Sequence, residues 1–132
     1  MSRKKIFILL SAGLLLLISV VLIGAGFLGP DVRVGYGENS YGNKLNASFY
    51  YFNGTNTKKL KFNKGDQVKM TYSIELSKGT LQMKVRDEAD NEVFLKTEGS
   101  GEVDFIVDKT QNYEIEIKAI KAKGKYTLDW SK

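Results

Sequence analysis

Ten consecutive residues of this chain, 67–76 (QVKMTYSIEL), alternate without a fault. Val68, Met70, Tyr72, Ile74 and Leu76 take one phase, and Gln67, Lys69, Thr71, Ser73 and Glu75 take the other. A period of two sends successive side chains to opposite faces of an extended chain, so the stretch reads as a strand with one face buried. The pattern recurs downstream. Leu81, Met83 and Val85 alternate after Ser77-Lys78-Gly79, and a short strand follows at 93–95. Gly99-Ser100-Gly101 breaks the chain before Val103, Phe105 and Val107. Tyr113, Ile115, Ile117 and Ala119 then interleave with Glu114, Glu116 and Lys118, and Lys123-Gly124 leads to Tyr126, Leu128 and Trp130. Upstream, 47–52 and 59–62 are two more short strands around Asn53-Gly54. The Gly-bearing breaks read as turns. About seven or eight strands, turning every 8–12 residues or so, predict an all-β fold over residues 46–132, an antiparallel β-sandwich or barrel.

Ahead of the strands, residues 6–28 run for 23 positions without a charge. As a helix this run spans about 34 Å, enough for a hydrocarbon core of roughly 30 Å. It has no polar face at helical spacing, unlike the core helix of a soluble domain. Arg3, Lys4 and Lys5 form a basic stub over 1–5, which predicts a single-pass anchor with its N-terminus in the cytoplasm and the rest outside. The alternative is a cleaved signal peptide and a secreted product, with Gly24-Ala25-Gly26 offering small residues before Phe27. A signal core is usually shorter than this run, which continues through Phe27 and Leu28. Residues 29–45, with Gly at 35, 37 and 42, read as a Gly-rich tether with an extended piece at 32–36. No buried strand precedes those glycines and no helix follows, so they do not make a phosphate loop.

The net charge of +5 divides unevenly, because three of the 20 basic residues and none of the 15 acids lie in the stub. The chain beyond residue 30 therefore carries 17 basic and 15 acidic residues, and nucleic acid is not an expected partner. Lys58, Lys59, Lys61 and Lys64 cluster, as do Lys118, Lys121, Lys123 and Lys125. They read as outward strand positions that keep edges soluble, with anionic lipid or wall polymer as the competing role. The chain has no His and no Cys, which removes imidazole bases, thiol nucleophiles, disulfides, and lipid attachment at a cysteine.

For metal chemistry, the loop DEADNE places Asp87, Asp90 and Glu92 close together as hard oxygen ligands for Ca²⁺. It lacks EF-hand spacing and reads equally as a solvated turn. No other cofactor is expected. Tyr36, Tyr41, Tyr50, Tyr51, Tyr113, Tyr126 and Trp130 could stack on sugars, but Tyr113, Tyr126 and Trp130 fall on apolar phases and read as core. Glu114 and Glu116 are an i,i+2 pair with no nucleophile or oxyanion site beside them, so the reading is a non-enzyme.

The order of the segments, from LKFNKGDQVKMTYSIEL through GSGEVDFIV to NYEIEIKAIKAKGKYTLDW, resembles the small β-sandwich domains of anchored or secreted Gram-positive proteins. The closing Gly124, Tyr126, Leu128 and Trp130 are similar to the last strand of pre-peptidase C-terminal and carbohydrate-binding jelly rolls. The resemblance implies an antiparallel, jelly-roll-like β-sandwich; with the apolar run and the missing catalytic groups, the expectation is a non-catalytic interaction or structural module at the bacterial cell surface. Its expected partners are the bilayer and an envelope protein or cell-wall polymer. The alternative is a carbohydrate-binding module.

Overall fold

Three strands of 19, 20 and 21 residues organise the molecule, each long enough to run through both layers of a sandwich. A computed structural model describes residues 30–132; the expected membrane-spanning helix at 6–28 and the basic stub lie outside the described residues. The strands are β1 (Val32–Val34), β2 (Gly37–Glu38), β3 (Lys44–Phe62), β4 (Gln67–Arg86), β5 (Glu92–Lys96), β6 (Gly99–Ile106) and β7 (Gln111–Ser131). All pairings are antiparallel, with β7 central between β3 and β4. β1 and β2 add to the outer side of β3, and β5 and β6 to the outer side of β4.

Half of each long strand belongs to each layer. Residues 44–49, 124–131 and 67–76 pair in one layer, which β6 extends alongside 67–74. Residues 54–62, 111–119 and 80–86 pair in the other, which β5 extends alongside 83–86. The layers meet through side chains from opposite halves. The Phe105 ring lies 5.4 Å from Tyr113 and 6.4 Å from Phe62, and Tyr72 stacks 6.1 Å from Phe94.

The breaks at Asn53-Gly54, Ser77-Lys78-Gly79 and Lys123-Gly124, expected as turns, are bends within single strands. The reason is visible in the phase of burial. On β4 the buried positions are 68, 70, 72 and 74 before the bend, and 81, 83 and 85 after it. On β7 they are 113, 115, 117 and 119, then 122, 126, 128 and 130. A bulge opposes two residues of one strand to one of its neighbour and so shifts the parity by one, keeping the same face inward while the strand turns over. The register slips at this level in both ladders, around Phe52 in β3 and around Lys78 in β4. Two glycines sit where the folded strands press together. A Cβ at Gly79 (φ 74°) would overlap the carbonyls of Ile120 and Lys121, and one at Gly124 (φ 150°) would overlap the Glu75 carbonyl. Lys121 takes φ 47° in the bulge, and its N–H donates to the Oδ1 of buried Asn53 at 3.2 Å.

The stretch 29–45, expected as a tether, contributes β1 and β2 to the sheet. Its few large side chains explain this. Arg33 lies over the rings of Phe52 and Tyr36, at 4.6 and 4.7 Å, and its Nε donates to Asp31 at 2.8 Å. Tyr36 packs edge-on to Phe52, and its hydroxyl accepts from Asn56 Nδ2 at 2.6 Å. The same Nδ2 donates to the Tyr126 hydroxyl at 3.0 Å, tying the two layers together. Among the described residues no helix is long and apolar enough to cross a membrane.

Candidate functional site

Flanking strands cover β4 unevenly. β6 pairs with it as far as Ile74, and β5 takes over at Met83. Between those positions, on the side away from β7, no strand among the described residues pairs with it. A groove of about 870 Å³ opens there. Ile74, Leu76, Leu81 and Ile120 form its apolar wall; Thr80, Gln82, Thr97, Glu98 and Lys118 supply hydroxyl, amide and charged groups. Chain crossing from β5 to β6 supplies Thr97 and Glu98, while the bend of β4 brings Leu76 and Leu81 to one place. Of the charged groups lining it, Glu75 pairs with Lys125 at 3.4 Å and Lys118 reaches Glu116 at 4.0 Å. The groove thus offers hydrogen-bond partners and an apolar wall.

The acidic loop folds on itself. Asp87 Oδ1 accepts the Asn91 backbone N–H at 2.8 Å, and its Oδ2 accepts Asn91 Nδ2 at 3.1 Å. Those bonds, the backbone one foremost, hold the Asp87 carboxyl below its ordinary range. Asp90, at φ 65°, lies 3.5 Å from Arg86, and Glu92 is exposed on β5. Glu88 accepts the Asn112 N–H at 3.0 Å, while its own N–H donates to Gln111 at 3.2 Å. Asp87 and Asp90 therefore spend themselves on separate neighbours while Glu92 stays exposed, and no group of three acids among the described residues is placed to hold a metal ion. Arg86, unremarked in the sequence, is the centre of this surface. It pairs with Glu114, lies 3.7 Å from Glu116, and joins the two carboxylates of the i,i+2 pair.

Tyr113, Tyr126 and Trp130 are buried, at 4%, 1% and 7% exposure, and so cannot stack on a sugar. Burial pushes the Tyr126 phenol well up from its ordinary value. Tyr41 and Tyr50 are the exposed rings among the described residues. Lys58, Lys59 and Lys61 lie on the half of β3 whose outer side no strand among the described residues pairs, where lysine keeps a free edge from pairing. Lys118, Lys121, Lys123 and Lys125 separate: Lys118 and Lys125 are ion-paired, and Lys121 and Lys123 stand at the bend.

No protein-family model matches the chain, and no curated protein does. Among solved structures, the chain is similar to the secreted serine protease VesC of Vibrio cholerae, with a TM-score of 0.53 and 15% identity. That match covers 80% of this chain and 25% of the protease, so the chain spans about a quarter of the protease's length. It is also similar to the C-terminal CBM6 of LamC, a laminarinase from Zobellia galactanivorans (TM-score 0.41, 12% identity, 75% of this chain and 87% of that one). A CBM4 structure matches at a TM-score of 0.37 and 9% identity, over 74% of this chain and 76% of that one. The first similarity bears on the fold alone, and the other two, below 0.5, decide nothing about a ligand.

Proposed function

We propose that residues 31–132 are a non-catalytic binding module, held at the outer face of a bacterial membrane by the apolar run at 6–28. Its binding site is the groove at the β4 bend. The observation that carries this reading is the open backbone edge of β4 between Ile74 and Met83, lying beside an apolar wall. An edge with unpaired N–H and C=O groups accepts an extended peptide as an added strand, with side-chain pockets giving selectivity. The ligand class is therefore an extended segment of an envelope protein. A carbohydrate is the second reading, favoured by Thr80, Gln82, Thr97 and Glu98 along the rim, which suit sugar hydroxyls.

Because the chain has no cysteine, a single fluorescent label at Thr97→Cys in the full chain, in detergent micelles, reports on the groove alone. Extended heptapeptide pools and cello- and chito-oligosaccharides are titrated in turn. A peptide that moves the label and slows hydrogen exchange at the amides of Leu76 and Leu81 supports strand addition. An oligosaccharide that moves the label while those amides exchange as before supports the second reading. If neither moves it in the folded chain, the groove is not the site. For the anchor, intact mass from the membrane fraction should give the uncleaved chain; a mature start near Phe27 would make the module secreted.

A further inference from the structure

The bend carries a row of side chains that neither the core nor the groove uses. Reading across the sheet from β1 to β4, Val34 pairs with Tyr51, Tyr50 and Tyr51 both oppose Lys123 at the bulge, and Lys123 pairs with Lys78. All of them avoid the core. Val34 is 51% exposed and Tyr50 63%, with Lys123 Nζ 4.4 Å from the Tyr50 ring centre. Lys121 is exposed in the adjoining bulge, where it and Ile120 oppose Asn53, and Val32 lies two residues before Val34 on the same edge. Like charges directly opposite across a ladder destabilise a sheet, yet Lys78 and Lys123 face one another here. Among the described residues, no acid forms an ion pair with Lys78, Lys121 or Lys123. Two exposed valines, an exposed tyrosine and three uncompensated lysines thus gather on one crest.

Chain length says what this crest meets. The apolar run ends at Leu28, and β1 opens at Val32. Four residue steps of extended chain reach about 14 Å at most, so β1 stays within that distance of the bilayer interface if 6–28 spans it. Tyrosine rings settle at the headgroup level, valines gain from the acyl boundary, and lysines pair with anionic headgroups. We infer that this crest (Val32, Val34, Tyr50, Lys78, Lys121 and Lys123) is a membrane-docking face that seats the module on anionic lipid and leaves the β4 groove to its ligand. The inference rests on the anchor reading above.

The full chain is reconstituted into vesicles of anionic or of zwitterionic lipid. A nitroxide is placed at Val34→Cys, with a second at Tyr50→Cys. A third at Ile106→Cys, exposed and eleven residues of β4 away from the bend, serves as the water-facing reference. Collisions with lipid-soluble oxygen and with a water-soluble nickel chelate report the depth of each label. On anionic vesicles the Val34 and Tyr50 labels should show an oxygen-to-nickel ratio at least about threefold above the Ile106 label. Each lysine changed to Gln at 78, 121 and 123 should lower the docked-to-free ratio about fivefold, with the thermal midpoint unchanged. Chain that stays with the vesicles in high salt while all three labels remain equally water-exposed overturns the docking face and leaves the anchor standing. Docking that ignores both lipid charge and the lysines also overturns it. Chain released from the vesicles by high salt sinks the anchor reading itself, and the docking face with it.

Discussion

Gly124 is the residue where the sandwich has least room. Its φ of 150° and the nearness of the Glu75 carbonyl leave no space for a methyl group. Gly124→Ala should cost about 3 kcal/mol, read as a lower urea midpoint with an unchanged slope, because backbone from two strands would have to part. Asp31 tests the docking of β1. The side-chain hydrogen bond from Arg33 holds its carboxyl below the usual range, so the pair's stabilisation is complete above about pH 4 and lost as the pH falls through the lowered value. With Asp31 nearly half exposed, Asp31→Asn should cost less than about 1 kcal/mol and remove that acid-side loss, as measured by urea unfolding at pH 3 and 7. Local pattern reveals a glycine but not its reason. Gly79 and Gly124 look like turn residues, and only the strands packed against them reveal that they are points of close approach.

At the scale of the element, one amide ties the two layers that the long strands run through. Asn56 on the second half of β3 donates to Tyr126 on the second half of β7, so it spans the two layers. Tyr126→Phe should cost about 1 kcal/mol at neutral pH for the lost hydrogen bond. The alkaline behaviour should separate the two proteins further. Burial raises the Tyr126 phenol above its ordinary value of 10.0, so the folded state keeps a proton that the unfolded chain releases. Stability then falls above pH 10, by about 1.4 kcal/mol per pH unit until the raised value is reached. Urea unfolding at pH 9 and 11 should show this extra fall in the parent chain and not in Tyr126→Phe. The strands themselves were legible, since 68–74 and 113–119 alternate as they are buried. The slip of parity from Ile74 to Leu81, and from Ala119 to Ala122, was in the sequence too; it is the signature of a bulge, where a turn was expected.

For the whole molecule, the pairings join residues far apart along the chain: Lys44 to Asp129, Phe62 to Gln111, Lys69 to Ser131. Loop closure must be met before such contacts form, so refolding should take milliseconds to seconds rather than microseconds, as stopped-flow dilution from urea would measure. A microsecond phase with full amplitude would mean that the ladder around β7 is not the rate-limiting assembly. The groove and the crest exist only at this scale. Val34, Tyr50, Lys123 and Lys78 come from four strands, and the gap on β4 arises because β5 and β6 each stop short of its bend.

Alternation needs only neighbouring residues, because extended backbone sends odd and even side chains to opposite faces whatever lies beyond them. The sequence by itself therefore determined the all-β class, the inward phase of both halves of β4 and of β7, and the burial of Tyr113, Tyr126 and Trp130. Tertiary structure decided the rest. A glycine in a turn and a glycine in a bulge carry the same local signal, and an acidic loop does not name its hydrogen-bond partners. Asp87 found Asn91, Glu88 found Gln111 and Asn112, and residues 31–38, too short to bury anything alone, found β3. Those outcomes depend on which distant groups arrive to satisfy each charge and each open edge.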